Sequence, residues 1–169
     1  STYWGGQEYD QIYFLSIDSK DRVYFAGQTE SSHRTTSGTY GSKDKGQIIG
    51  RISNDLKTQQ FLSVFGNRNR KPDISPTAFL VDRCFNIYLS GWGSNTDPRS
   101  NPGSTIGLPI TQDALQKTTD SNDFYLIALE PNASNIGFAS FYGGDSTEDH
   151  VDGGTSRFDP QGIVYQSVC

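Results

Sequence analysis

The feature that most constrains the fold is an internal repeat. Residues 58–67 (TQQFLSVFGN) align with residues 135–144 (NIGFASFYGG), so that Phe61 stands 77 residues before Phe138, and residues 1–6 (STYWGG) form a third, shorter copy. Each copy predicts a short aromatic strand closed by glycine. A recurrence at a fixed period is the signature of a repeat architecture, in which each repeat is one supersecondary unit.

A second motif follows each aromatic-glycine copy, at residues 17–24 (IDSKDRVY), 81–88 (VDRCFNIY) and 158–165 (FDPQGIVY). An apolar residue and an aspartate, a few turn-forming residues and a β-branched or aromatic run predict a β-hairpin whose aspartate hydrogen-bonds backbone amides in the turn. Calcium binding is the alternative, but it would need roughly 6–8 oxygen ligands, more than one such turn offers. The three aspartates expected to be structural turn residues are Asp18, Asp82 and Asp159.

A third element, at residues 47–52 (QIIGRI), corresponds to residues 124–129 (FYLIAL), and the stretch 49–88 matches 126–165 without a gap. One unit therefore has four strands, read in the order aromatic-glycine, apolar-Asp, β-branched/Tyr and apolar. Four antiparallel strands per repeat predict an all-β fold of β-propeller-like blades.

The chain divides into two complete blades and one partial blade. Unit 1 spans about residues 1–62, unit 2 spans 63–139 and the partial unit 3 spans 140–169. Because the last unit is partial, we interpret the 169 residues as a segment of a larger parent chain. The rest of that parent chain is therefore one expected partner of this segment.

The units differ mainly in one connection, which is much longer in unit 2, at residues 93–112, than at the same point of unit 1. Long insertions at one point of a repeat collect on one face, often the binding face. The candidate ligand-binding residues are Trp92, at the root of this loop, with Asn95 and Asp97 inside it. A sugar-stacking platform is one role for Trp92, and packing between blades is the other.

The densest polar cluster lies at residues 145–152 (DSTEDHVD). Asp145, Glu148 and Asp152 are candidate metal ligands, with Ca²⁺ as the cation such oxygens suit. A solvated loop is the alternative, because the same connection carries QEYD at 7–10 and RNRK at 68–71. No other cofactor is expected, and the sequence has no phosphate-binding loop or nucleophile elbow, which favours a protein that is not an enzyme.

Charge and cysteine content restrict the partners. The net charge of −5, with basic residues scattered along the chain, disfavours nucleic acid. No apolar stretch approaches the roughly 20 residues that span a bilayer. Cys84 and Cys169 would stand at opposite ends of equivalent strands in different blades, so a disulfide between them is not expected and Cys84 is expected to be free.

The repeat motifs resemble the SBBP propeller-repeat family in YWGG at 3–6, the hairpin at 17–24 and SGTY at 37–40. More specifically, PDISPTAFLVD at 72–82 and HVDGGTSRFD at 150–159, with YLSGWG at 88–93, resemble large surface proteins of gliding Bacteroidota. Asp21-Arg22 and Phe85-Asn86 depart from the family's Gly-Asn, so a different turn type is one expectation there.

The resemblance implies a secreted protein, exported by type IX secretion with a gliding-motility-associated (type B) sorting domain in the parent chain. It also implies that Cys169 pairs with a cysteine beyond the visible end. We therefore expect an extracellular, cell-surface, non-enzymatic structural or interaction segment, related to adhesion or gliding, with surface proteins, outer-membrane proteins or glycans as partners. The alternatives are a glycan-binding or polysaccharide-active propeller, and an accessory subunit of an outer-membrane surface complex.

Overall fold

A computed structural model describes residues 1–93, 103–144, 156–159, 161 and 163–166. The prediction of an all-β protein is confirmed, because the only helical element in the described part of the chain is a single 3-10 turn at Pro131–Ala133. The strands are β1 (Asp10–Ile17), β2 (Val23–Thr29), β3 (Lys45–Ile52), β4 (Gln59–Asn69), β5 (Ser75–Val81), β6 (Ile87–Trp92), β7 (Phe124–Leu129), β8 (Ile136–Tyr142), β9 (Ser156–Phe158) and β10 (Val164–Gln166).

The strands form two four-stranded sheets and one hairpin. Sheet 1 has the order β1-β2-β3-β4 and sheet 2 the order β5-β6-β7-β8, with every neighbouring pair antiparallel, and β9 pairs with β10. Each sheet is therefore a meander, in which consecutive strands are neighbours. The described residues make two stacked sheets and a hairpin rather than a closed ring.

The aromatic-glycine strand is the last strand of each sheet rather than the first. β4 pairs with β3 and β8 pairs with β7, whereas the chain after β4 crosses to the next sheet. The sheets consequently span residues 10–69 and 75–142, a different division from the sequence units 1–62 and 63–139. The first copy, at residues 1–6, was expected to be a strand, but the structure assigns it none.

The repeat is exact at the level of strand register. Ile17 pairs with Val23 and Val81 with Ile87, and the backbone of residue 158 pairs with that of residue 164 in the same way. Asp21 and Phe85, which stand in the same position of the first two hairpins, both have left-handed backbone conformations, with φ of 56° and 66°. The first two hairpins therefore share the same backbone conformation at this position.

The hydrophobic core lies between the sheets. We call the side of sheet 1 that carries Tyr24 and Phe61 its front face, and the side that carries Phe25 its back face, since successive side chains of a strand point to opposite sides. The front face of sheet 1 packs on the back face of sheet 2 in one continuous cluster. Its largest members are Tyr24, Ile49, Phe61, Phe65, Ile87, Leu89, Tyr125, Ile127, Leu129 and Phe141.

The two outward-facing surfaces keep exposed apolar side chains. On the back face of sheet 1, Leu15 and Ile17 are 69% and 66% exposed. On the front face of sheet 2, Tyr142 is 59% exposed. Because the units repeat in register, the back face of sheet 1 corresponds to the buried back face of sheet 2, and the front face of sheet 2 to the buried front face of sheet 1.

Candidate functional site

The turn aspartates accept hydrogen bonds from the backbone of their own turns. The Oδ1 atom of Asp18 accepts from the amides of Lys20 (2.9 Å) and Arg22 (3.1 Å), and Oδ2 accepts from Arg22 Nε (2.7 Å). Burial raises the pKa of Asp18, but the hydrogen bonds from the Arg22 side chain and the two amides outweigh it and hold this pKa below its ordinary value.

The other two turns repeat this arrangement. Oδ1 of Asp82 accepts from the amides of Cys84 and Asn86, both at 2.8 Å, and Oδ1 of Asp159 accepts from the amides at positions 161 (2.8 Å) and 163 (2.9 Å). Each carboxylate thus meets the amides two and four residues further on, as in an Asx-type turn. Cys84 is exposed, and within the described part of the chain it is a free cysteine.

Of the predicted ligand residues, Trp92 lies in the described part of the chain. Trp92 ends β6, where it is half-buried opposite Ser75 and Phe124. Asn95 and Asp97 lie outside the described residues, and so do the three candidate metal ligands Asp145, Glu148 and Asp152. In the part of the chain that the structure describes, no three histidine, cysteine, aspartate or glutamate side chains are grouped to hold a metal ion.

The second half of the long loop is anchored at the junction of the two sheets. The amide of Ser104 donates to the Asp73 carbonyl (2.7 Å), the Asn67 side chain donates to the Ile106 carbonyl (3.1 Å), and Leu108 enters the core. The end of the loop is therefore a built part of the fold, fixed beside the crossing from sheet 1 to sheet 2.

Sequence reasoning missed a buried aspartate that precedes the first strand of sheet 2. The Asp73 side chain is fully buried; it accepts from the Asn67 amide (2.9 Å) and from Arg68 Nε (3.1 Å). Burial raises the pKa of Asp73 above its ordinary value despite these donors. The carboxylate ties the end of β4 to the start of β5.

Asp10 has the same role at the start of sheet 1. It accepts from the Gly6 amide (2.6 Å) and from the Ser31 hydroxyl (2.8 Å), and His33 Nε2 lies 3.3 Å from it. The spacing hides the correspondence, since Asp10 stands eight residues before Asp18 whereas Asp73 stands nine before Asp82. The bulges of β1 and β5 lie at equivalent positions, so the additional residue of sheet 2 lies between Asp73 and Pro76.

The first copy of the aromatic-glycine motif lies against the back face of sheet 1. The Trp4 ring packs on Phe25 (5.0 Å between centroids) and stacks on His33 (4.7 Å), and its Nε1 donates to Gln59 Oε1 (2.9 Å). In the repeat, Trp4 corresponds to Phe65, which packs on sheet 2. Residues 1–6 thus occupy the place of an outer strand although they do not pair as one.

The front face of sheet 1 contains a buried cation. Arg51 is 9% exposed, and its guanidinium lies 5.4 Å from the Tyr24 ring centroid and 5.0 Å from that of Phe61. It donates to Gln60 Oε1 (2.7 Å), to the Tyr24 hydroxyl (3.0 Å) and to Asn132 Oδ1 (2.8 Å) in the turn between β7 and β8. An arginine held between two aromatic rings therefore joins the two sheets.

The equivalent place on sheet 2 is an open cavity. Tyr88, Ala128 and Phe138 stand where Tyr24, Arg51 and Phe61 stand on sheet 1. They line a cavity of about 430 Å³ together with Asn86, Leu126, Leu129, Glu130 and Gly137. We call this cavity the aromatic slot.

Comparison with known proteins identifies no relative. No family model, curated protein or solved structure matches the chain. Among the described residues, no helix has the length and apolar character needed to cross a membrane. The functional argument therefore depends on the geometry of the chain itself.

Proposed function

We propose that the chain is a run of β-propeller-type blades that serves as a non-enzymatic structural and interaction segment of a secreted, cell-surface protein. The observation that carries this proposal is the way in which the sheets stack. The first strand of each sheet and the first strand of the hairpin contact one another in series, β1 with β5 and β5 with β9. The innermost strands of successive blades make such contacts around a propeller axis.

The repetition of the faces supports the same proposal. The front face of sheet 1 packs on the back face of sheet 2, and this head-to-tail contact uses different surfaces of the two units. Contacts of this kind continue from unit to unit until a ring closes. The exposed apolar residues on the two outward faces are those that further units would cover.

The chemistry of the described side chains supports a structural role. The carboxylates of Asp10, Asp18, Asp73 and Asp82 all accept hydrogen bonds from nearby backbone amides. Groups committed to holding turns together organise loops rather than convert a substrate. The loop rooted at Trp92 is the interaction element of this proposal, with surface proteins or glycans as partners.

The location belongs to the same proposal. The motifs that resemble SBBP repeats and gliding Bacteroidota surface proteins support export by type IX secretion and a role in adhesion or gliding. Antibodies against the segment, applied to intact producing cells before and after protease treatment, test this location. We expect labelling that protease removes; labelling that needs lysis would contradict a surface location.

Interaction rather than catalysis is tested with glycans and surface extracts. We expect retention of a surface component by the immobilised chain, reduced in Trp92→Ala and kept in Trp92→Phe, without release of reducing sugar from a polysaccharide panel. Sustained release of reducing ends by the purified chain would contradict the non-enzymatic proposal and favour a polysaccharide-active propeller.

The exposed apolar faces also favour a second candidate, an accessory segment of an outer-membrane surface complex that partner proteins hold. Leu15 and Ile17 would then be covered by another protein rather than by a further blade. Crosslinking from the back face of sheet 1 in producing cells distinguishes the two, because the linked peptides come from a different polypeptide only in the second case.

A further inference from the structure

We propose that the connection between β2 and β3, at residues 34–43, binds a tetrahedral oxyanion, namely a sulfate or phosphate ester carried by a polysaccharide. The inference deepens the proposed interaction role and rests on it for the choice of a glycan as the partner. The connection, here called the 34–43 loop, stands at the same point of unit 1 as the long loop that follows Trp92 in unit 2. Both lie where the repeat collects its insertions on one face.

The outer strand of sheet 1 fixes the shape of the 34–43 loop. The Thr36 amide donates to the Leu62 carbonyl, and the Ser42 amide donates to the Val64 carbonyl, both at 2.8 Å. In return, the Val64 amide donates to the Thr35 hydroxyl (3.1 Å). Because β4 is the last strand of sheet 1, the loop covers its open edge and is held there. Groups that are already fixed lose little conformational entropy when a ligand binds.

The turn at the tip of the loop offers hydrogen-bond donors. The Thr39 amide donates to the Thr36 carbonyl (3.1 Å), which closes a turn over Ser37 and Gly38. Within the described part of the chain, the amides of Ser37 and Gly38 and the Ser37 hydroxyl donate to no other group. Gly38 has φ of 81°, and no heavy atom lies within 4 Å of the place that a Cβ atom would take. Successive free amides in such an open turn are groups that anions bind.

Two cations flank this turn. Arg34 at the start of the loop and Lys43 at its end are exposed, and with the turn they line a cavity of about 360 Å³. None of the described residues that line the cavity is acidic. Within the described chain Arg34 forms no ion pair, whereas Lys43 Nζ lies 3.9 Å from Asp44 Oδ2. The loop is therefore locally positive on a chain whose net charge is −5.

The equivalent turn of unit 2 is a comparison within the same chain. The Ala114 amide donates to the Thr111 carbonyl (3.1 Å), and Thr111, like Thr36, donates its own amide to the outer strand of its sheet. In this second turn Asp113 stands in the place of Gly38. A carboxylate repels an oxyanion, so we expect the turn of unit 1 to bind and the turn of unit 2 not to bind.

The arrangement of donors favours a sulfate or phosphate ester over a carboxylate. Such an ester presents three terminal oxygens, which match donors supplied by Arg34, by the turn and by Lys43, whereas a carboxylate presents two. The arginine fork also suits two neighbouring oxygens of one ester group. Nucleic acid is a poorer fit for this chain, because binding along a phosphate backbone needs a continuous basic face and the net charge is −5.

The test uses the whole chain and small saccharides as probes. The sulfate and phosphate monoesters of galactose are titrated against labelled protein, and the amide resonances of Ser37, Gly38 and Asp113 are followed by NMR; galacturonate and galactose are the matched probes. We expect saturable shifts at Ser37 and Gly38, at millimolar ester concentration, with galacturonate weaker by about fivefold or more. The ester that binds more tightly identifies the polysaccharide as sulfated or phosphorylated. Equal binding of galactose, shifts at Asp113 instead, or no shift with either ester would overturn the proposal.

Substitutions of exposed side chains extend the test. Arg34→Met and Lys43→Met should each weaken ester binding about threefold or more. Lys57→Met removes the same charge from an exposed turn at the opposite end of sheet 1 and should leave binding unchanged. Ser37→Asp should abolish binding, whereas its neutral isostere Ser37→Asn should keep it within about twofold. Equal losses in Arg34→Met and Lys57→Met would show a general charge effect and refute the site.

Retention of the chain on immobilised dextran sulfate connects the loop with the proposed function. General attraction to a polyanion is not expected of a chain with net charge −5. We expect the wild type to be retained at low salt, Arg34→Met to elute at lower salt, and unsubstituted dextran to retain neither. Absence of retention together with intact surface labelling would overturn the oxyanion site alone. Retention without surface labelling on intact cells would support the site and contradict the surface location instead.

Discussion

Arg51 donates a hydrogen bond from Nη1 to Oδ1 of Asn132, 2.8 Å away, and so joins the third strand of one sheet to a turn of the other. The two residues are 81 positions apart in the sequence. The contact is partly buried, and the Arg51 guanidinium also lies against the Tyr24 and Phe61 rings, so the relative placement of the sheets depends on it.

We first predict that Arg51→Met destabilises the protein by about 2–3 kcal/mol, since it removes three hydrogen bonds and two cation–π contacts. The measurement is the free energy of unfolding in urea. Arg34→Met, on an exposed loop, is the control and should change it by less than about 0.5 kcal/mol. A loss as small as that of the control would mean that Arg51 does not join the sheets.

The second prediction concerns the left-handed residue of the first turn. Asp21 has φ of 56°, a conformation that is unfavourable for a side chain with a Cβ atom, so Asp21→Gly should stabilise the protein by about 0.5–1 kcal/mol. Ser19→Gly, in the same exposed turn but without positive φ, should instead be neutral or destabilising. Thermal denaturation of both variants measures the difference, and a lower melting temperature for Asp21→Gly would contradict this account.

Phe85, which corresponds to Asp21 in the turn between β5 and β6, is not expected to behave like Asp21. Phe85 also has positive φ, but Lys20 and Arg22 lie 5.4 Å and 5.2 Å from its ring centroid, across the two sheets. Phe85→Gly would relieve the backbone and lose these contacts together. We expect no net stabilisation, measured again as the free energy of unfolding.

Strands were more predictable from the sequence than sheets. The hairpins could be located from aromatic runs and from the turn motifs with aspartate, because turn chemistry and strand propensity are local. The 77-residue offset then showed that these motifs repeat. The grouping of strands was not local: residues 59–69 could open one unit or close another, and only packing decides that they pair with β3. Asp10 and Asp73 were missed because they stand at different distances, eight and nine residues, before the turn aspartates Asp18 and Asp82.

The third prediction is a pH dependence at Asp18. Hydrogen bonds outweigh burial and hold its folded-state pKa below the ordinary value of 3.8, so its stabilising contribution is fully present above that value and is lost as the pH falls through the folded pKa. Asp18→Asn should therefore lower stability at neutral pH by about 1–2 kcal/mol and reduce the loss of stability on acidification. Unfolding free energies from about pH 7 to about pH 2 measure this, and parallel curves for the two proteins would contradict it.

The fourth prediction concerns the buried carboxylate between the sheets. Asp73→Ala removes the acceptor of the Asn67 amide and the buried partner of Arg68, and should destabilise the protein by about 3 kcal/mol. Asp113→Ala, in an exposed turn, is the matched control. If both variants melt like the wild type, the crossing from β4 to β5 does not depend on Asp73.

The pKa of Asp73 gives this group the opposite pH dependence to Asp18. Its folded pKa is raised by burial, so ionisation opposes folding, and its contribution to stability falls as the pH rises from the unfolded to the folded pKa. In Asp73→Asn this decrease should be absent, which the same acid titration of unfolding free energies measures. A steeper fall in Asp73→Asn than in the wild type would show that the sign is wrong.

The central claim is that successive repeat sheets stack front to back around one shared core. Hydrogen exchange followed by mass spectrometry, under conditions where exchange reports each opening event, tests it most directly on the whole chain. We predict that β3 of sheet 1 and β7 of sheet 2 exchange together in one correlated event. Exchange of the two sheets in separate, independent events would contradict a shared core and with it the stacking of the two sheets.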